Sequence, residues 1–380
     1  MQKRRVSSNN QTELKMTLKI GIDGTALAGP LTGVGNYILG VLRALMAAEP
    51  GAQFIIYSNG PIAIADLDDV QIRVSSPPGR KGPYWQNTQL AAALARDCPD
   101  VFWGGNGLLP LIRPRRLPMV LTIHDLAYKF AGETIQVISR WSRRLVQPMS
   151  ARIATKVVAV SHSTAAEITR FYGRNVDAVI APLIDKSFSP ATTSEVERVR
   201  EKFELPHSYL LATGTLEPRK NLHSLLDAIL DLRQRGIELP MLALVGKSGW
   251  LVDDLVKKIA KMEAAGLVRR LGYVPLADMP ALYTAARAFI MPSIYEGFGM
   301  PVLEAQLCGT PVLISDIPSL VEASGGYAKR FCPTREGIAD ALRETFSEEA
   351  VIQLRPQDSM RSSLLSEGQR MWKVIQDSLA

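Results

Sequence analysis

Residues 288 to 316, AFIMPSIYEGFGMPVLEAQLCGTPVLISD, set two glutamates, Glu296 and Glu304, on either side of a Gly-Phe-Gly-Met-Pro turn. Pro301 suits the first turn of a helix, where its missing N–H costs nothing, and Gly309 suits the stop, so the spacing predicts a helix over 301 to 308. The N–H groups near residues 298 to 302 then lack partners within the helix and lie at the positive end of its dipole, which makes an anion site. A phosphate belongs at that end. Glu304 falls in the first helical turn, where compensation of the dipole is reason enough for a carboxylate. Glu296 has no such reason. A carboxylate beside an anion site serves a ligand that also carries hydroxyls, because it accepts their hydrogen bonds while the helix end takes phosphate. A nucleotide sugar offers both.

Other stretches carry chemistry of the same kind. GTLEPRKN puts Arg219 and Lys220 just before a helix start at a strand's carboxyl end, either as solvated loop charges or, as the placement favours, as counter-charge for a diphosphate. Thr122-Ile-His124-Asp125 ends another strand, and ligands of open α/β sheets sit at such ends. His124 is placed to reach a substrate there, against the ordinary structural role of a lone histidine. Asp125 is read as a cap rather than a general base. The turn GPLTGVGNY invites a dinucleotide-binding reading, but Gly33 and Gly35 are followed by Ile38, and the second strand ends at Ser58 and Asn59 without a ribose-binding acid. Gly33 is left as either a close backbone approach to a ligand or a structural turn.

E-G-F-G-M-P-V-L-E resembles the Glu-x7-Glu signature of the retaining, GT-B-fold glycosyltransferases of the group 1 family, and GTLEPRKN and HDLAY resemble that family too. One departure is Thr215, where many members carry an arginine. The resemblance covers roughly residues 18 to 330 and implies an α/β, GT-B architecture of two Rossmann-like domains facing across a cleft. It implies that His124 and Glu296 are the catalytic pair holding the transferred sugar, and that Glu304 takes the nucleotide ribose. The implied donor-binding set adds Gly33, Arg219, Lys220, Gly297, Phe298, Gly299, Met300, Pro301 and Val302. Retention is implied, by same-face attack in which the leaving phosphate oxygen takes the acceptor's proton. No Asp-x-Asp stands where a metal would hold the diphosphate, so cations and helix dipole are left to stabilise the leaving group, and no metal or other cofactor is expected. The chain is also similar to bacterial mannosyl- and other hexosyltransferases of O-antigen and exopolysaccharide synthesis. That implies a GDP-mannose donor and a lipid-linked oligosaccharide acceptor, with a UDP-hexose donor next. A GT-B-fold nucleotide-sugar epimerase and a non-catalytic nucleotide-sugar-binding protein are the alternatives.

Positioning these residues takes two domains, since 380 residues exceed one ordinary core. Strand signals at 18–23, 54–57, 70–74, 101–103, 120–124, 157–160 and 178–182 alternate with helical ones, among them a capping box from Thr164 to Glu167 that opens a helix closed by Gly173. Polar residues 185 to 205 read as the interdomain crossing. A second series has strands at 209–212, 241–245 and 268–274 and helices from Asn221, as N-cap, over 251–265, and from Asp278. Short βα alternation predicts parallel sheets covered on both faces. The expected boundaries are a disordered basic lead over 1–15, with Met16 as an alternative start, an acceptor-side domain over 16–190, a donor-side domain over 191–360, and a helix in 361–380 crossing back.

The net charge of +7 is uneven: residues 111 to 156 hold nine Lys or Arg against Asp125 and Glu133. Within that segment, ISRWSRRLVQPMSARI interleaves Ile138, Trp141, Leu145, Val146, Met149 and Ile153 with arginines at helical spacing. Such a helix either contacts an anionic membrane peripherally or packs on the core with a solvated basic face. No nucleic-acid motif accompanies the charge, so nucleic acid is not an expected partner. Cys98, Cys308 and Cys332 lack pairing or metal spacing and read as buried, reduced thiols. With no transmembrane run and no apolar signal core, the expected place is the cytoplasm, peripheral at most to the inner face of the cytoplasmic membrane.

Overall fold

The computed structural model describes residues 17–62, 64, 67, 70–74, 82–130, 137–247, 249, 253–347, 354–355 and 364–380, without the side chains of 137–142 and 364–365. The expected lead at 1–15, Met16, and the side chains of Ile138 and Trp141 lie outside the described residues.

Two parallel sheets organise the chain. The first runs β3-β2-β1-β4-β5-β6-β7, from β1 (Lys19–Asp23), β2 (Gln53–Ser58), β3 (Val70–Val74), β4 (Val101–Gly104), β5 (Met119–Ile123), β6 (Lys156–Ala159) and β7 (Ala178–Val179). The second runs β10-β9-β8-β11-β12-β13, from β8 (Tyr209–Thr213), β9 (Met241–Val245), β10 (Val268–Gly272), β11 (Ala288–Met291), β12 (Val312–Ser315) and β13 (Lys329–Phe331). The central strands are apolar throughout because helices cover both faces. In β5 every residue is buried: Val120 faces the layer of Ile38 and Leu42, while Met119, Leu121 and Ile123 face that of Leu94 and Ile168. In β8, likewise, Leu210 and Ala212 turn to Leu225 and Ile229, and Tyr209 and Leu211 turn to Tyr283 and Phe289.

The first helix, Gly33–Ala48, lays Ile38, Val41, Leu42 and Leu45 on the first sheet. The C-terminal helix, Leu364–Leu379, packs against the same core with Met371, Val374 and Ile375, so the end of the chain lies on the N-terminal domain. Gly368 permits the approach, since a Cβ there would stand 2.1 Å from the Ala44 carbonyl oxygen.

Several local expectations need correction. The polar stretch 185 to 205 contains a helix, Thr193–Phe203, opened by a capping box between Thr192 and Glu195. The helix His162–Tyr172 is capped by Ser161, whose hydroxyl accepts the Thr164 N–H, so Thr164 and Glu167 do not form a box; Gly173 does close it, left-handed. Strand β7 stops at Val179, short of the expected 182. Asn221 has a left-handed backbone (φ 57°) and its side chain makes no cap bond to the helix Leu222–Gln234. Of the three cysteines only Cys308 is buried; Cys98 and Cys332 are exposed.

Candidate active site

Both sheets reverse strand order beside their first strand, between β1 and β4 and between β8 and β11. Connections leave such neighbours in opposite directions and open a crevice at their carboxyl ends. After β8 the chain reaches the turn Pro218–Lys220, and after β11 it reaches Glu296, so residues about 76 positions apart meet. Glu296 Oε2 lies 2.7 Å from Arg219 Nη1, and its Oε1 lies 2.6 Å from Lys220 Nζ and accepts from Ser293 Oγ at 2.8 Å. Glu217 holds the other side of Arg219 at 2.5 Å. Asn221 donates to the carbonyls of Pro292 and Pro333, at 3.0 and 2.9 Å, and so staples the two loops together. Burial alone would raise the Glu296 pKa, but Lys220 and Arg219 outweigh it and hold the carboxylate at about 2.

The helix expected at 301 to 308 spans Met300–Leu307, with Gly299 before it at φ 113°, a backbone that favours glycine. Gly297, Phe298, Gly299, Met300 and Pro301 line the cleft. Val302 does not: it is fully buried in the core and its N–H is bonded to the Gly299 carbonyl. Glu304 is the fifth residue of the helix rather than part of its first turn, so dipole compensation does not account for it. Its Oε2 accepts from the Tyr283 hydroxyl at 2.8 Å, and burial pushes its pKa up to about 7, an effect that bond only partly offsets.

The N-terminal domain supplies the opposite wall. His124 follows β5, and its Nε2 lies 2.7 Å from the Gly105 carbonyl oxygen, which only accepts; the proton therefore sits on Nε2 and Nδ1 is bare in the neutral ring. Burial lowers the His124 pKa, against the opposing effect of that bond, and keeps the ring neutral at pH 7. Tyr37 meets the ring edge-on at 4.9 Å. Asp125 acts as the expected cap, accepting the Ala127 N–H at 3.1 Å. Gly33 opens the first helix, and a Cβ there would meet nothing within 4 Å, so packing does not demand the glycine. Gly33, His124, Arg219, Lys220, Glu296 and Glu304 all border one cleft of about 550 Å³ between the domains. Sequence reasoning missed Glu217, although it stands inside GTLEPRKN, and Tyr283, which no local signal marks.

Sequence comparison agrees with this arrangement. The family model described as Glycosyltransferase Family 4 matches residues 31–188, and that described as Glycosyl transferases group 1 matches residues 194–357. The chain is 30% identical over 319 residues to the O-antigen chain mannosyltransferase B of Escherichia coli, covering 78% of this chain and 82% of that one. The chain belongs to the group 1 glycosyltransferases. This glycosyltransferase is also 28% identical over 210 residues to the O-antigen chain mannosyltransferase RfbU of Salmonella typhimurium, 55% of this chain and 54% of RfbU. Its fold matches the crystal structure of Anabaena Alr3699/HepE in complex with UDP and glucose, with a TM-score of 0.72 at 17% identity over 95% of this chain and 99% of that one. The architecture is GT-B, as the signature implied.

Proposed function

We propose that this glycosyltransferase moves mannose from GDP-mannose, with retention, to a lipid-linked oligosaccharide in cell-surface polysaccharide synthesis. The observation that carries the reading is the meeting of Arg219 and Lys220 with Glu296 in one cleft with Glu304 and His124. Arg219, Lys220 and the N-terminus of helix Met300–Leu307 neutralise the leaving diphosphate, which needs no metal in this scheme. Glu296 accepts hydrogen bonds from the sugar hydroxyls, and Glu304 takes the ribose diol. The acceptor hydroxyl attacks from the face the diphosphate leaves, and the leaving oxygen takes its proton. The two O-antigen mannosyltransferase relatives support mannose as the sugar. A thermal-shift series with GDP, GDP-mannose, UDP and UDP-glucose tests the donor. A ligand at a hundredfold over its dissociation constant adds about 2.7 kcal/mol, so stabilisation by GDP-mannose that EDTA does not remove is the expected result. Stabilisation by the UDP compounds alone would replace the donor, and none by any nucleotide would sink the site.

The Glu304 pKa of about 7 gives donor binding a pH dependence. Its carboxylate is mostly ionised at pH 8 and mostly protonated at pH 6, so a ligand needing the carboxylate as acceptor binds up to about tenfold more weakly at the lower pH. The titration is run with the nucleotide sugar, whose diphosphate ester lacks the terminal phosphate that ionises in that range. Glu304→Gln should flatten the profile, and a profile the variant leaves unchanged removes Glu304 from the ribose.

Membrane contact is part of the same proposal, at the inner face where lipid-linked acceptors would be reached. In the helix Val137–Ile153, Leu145 and Met149 stand one turn apart and are 61% and 46% exposed. Ile112 is 64% exposed, and its neighbour Arg113 donates to the Ile153 carbonyl at 2.9 Å, so apolar and basic groups share this surface. Among the described residues no helix is long and apolar enough to cross a membrane. Cosedimentation with anionic but not neutral vesicles at low salt, weakened by Leu145→Asp, is expected. Equal partition to both vesicle types would remove the electrostatic contact.

A further inference from the structure

Glu296 belongs to the donor domain, yet the residues on either side of it are bonded to the other domain. The Tyr295 hydroxyl donates to Glu167 Oε2 and accepts the Leu126 N–H, each at 2.7 Å. Its ring stacks on Phe130, with centroids 5.0 Å and planes 18° apart. The Gly297 carbonyl accepts from Ser161 Oγ at 2.6 Å and Thr164 Oγ1 at 3.0 Å. Farther along, the Glu322 carboxylate takes the N–H groups of His162 and Ser163, at 2.8 and 3.0 Å, at the open end of the helix that carries Glu167. Tyr295 is 8% exposed but belongs to neither hydrophobic core of the donor domain. Its burial comes from the domain boundary, and both hydrogen-bonding capacities of its hydroxyl are used there.

We propose that Tyr295 and Glu167 form an interdomain clasp that positions Glu296 opposite His124. Tyr295 is a positioning residue: it acts through the loop it shares with Glu296 and touches no reacting atom. The proposal rests on the donor assignment above. In that assignment Arg219, Lys220 and Glu304 hold the nucleotide from one domain alone, so loss of the clasp slows transfer without weakening the nucleotide. A residue that merely stabilised the fold would change both together.

Two readouts on the full chain test the clasp. In Tyr295→Phe, which keeps the ring, exchange of the Leu126 amide is expected to accelerate about tenfold while that of Leu211 inside β8 stays unchanged. Donor turnover should fall about tenfold or more with nucleoside diphosphate affinity unchanged. Glu167→Ala should reproduce the loss, and Glu167→Gln, whose amide oxygen still accepts, should restore most of the rate. Unchanged Leu126 exchange overturns the proposal. So does unchanged turnover, nucleotide affinity that falls in step with turnover, or a glutamine variant as slow as the alanine. A wild-type protein that turns over no nucleotide sugar overturns the donor reading instead, and amide exchange then still decides the clasp.

Discussion

Glu296→Gln is expected to lower donor turnover by about a hundredfold or more while nucleoside diphosphate affinity holds or rises. The opposite directions follow from the pairing within the site, where the cations assigned to the diphosphate also hold this carboxylate, at 2.7 Å for Arg219 and 2.6 Å for Lys220. A diphosphate must compete with that internal anion, and a neutral amide competes less. Transfer, by contrast, needs charge near the sugar as positive character develops there, which the amide does not supply. Stability has its own signature. The folded pKa of about 2 lies below the ordinary glutamate value, so the ionised group stabilises the fold in full above the unfolded pKa, and that stabilisation declines as pH falls below it and is gone once pH has fallen through about 2. The variant removes the carboxylate that Arg219 and Lys220 share at all pH values and leaves Arg219 with the Glu217 ion pair, which predicts a lower melting temperature that bound diphosphate restores. Steady-state turnover beside calorimetric titration of GDP checks the whole pattern. Equal losses of rate and affinity would mean that Glu296 holds nucleotide rather than sugar.

The strand ends were legible in the sequence because local chemistry writes them. Short apolar runs such as 120–124, which ends on His124 before Asp125, mark where parallel strands stop, and ligand-facing residues gather there whatever the detailed geometry. The signature itself located Glu296 and Glu304. Pairing across the fold was not legible. Nothing in GTLEPRKN says that its cations face Glu296, since that depends on β8 and β11 being neighbours, which topology decides. A shift of one residue at the helix start moved Glu304 out of the first turn and turned an apparent dipole partner into a buried carboxyl held by Tyr283. The Tyr295 contacts join residues 128 and 169 positions apart, and a tyrosine beside a glutamate carries no local sign of them.

Gly297→Ala should be nearly as damaging as loss of Glu296, with about a hundredfold fall in turnover, and for a steric reason. A Cβ at this position would stand 1.9 Å from the His124 carbonyl oxygen and 2.9 Å from its carbonyl carbon. Both are backbone atoms at the end of a fully buried strand, so neither moves aside as a flexible side chain would. The domains must therefore separate at the point where the donor loop meets His124, and a displacement of about 1 Å between reacting groups is enough for a hundredfold loss. Folding itself should survive, because Gly297 lies in the donor-domain loop between β11 and the helix Met300–Leu307, at the domain boundary, and its methyl group would intrude on neither sheet. Nucleotide affinity should survive too, since Arg219, Lys220 and Glu304 stay in register within their own domain. Turnover, GDP affinity and melting temperature measured on the same preparation separate these effects. Full activity in the alanine variant would mean that transfer proceeds with the domains farther apart than they stand here, and that the contact between Gly297 and His124 is a resting arrangement. Loss of activity with GDP affinity intact places the chemistry in the closed cleft, where the backbone leaves room at residue 297 for a hydrogen atom and nothing larger.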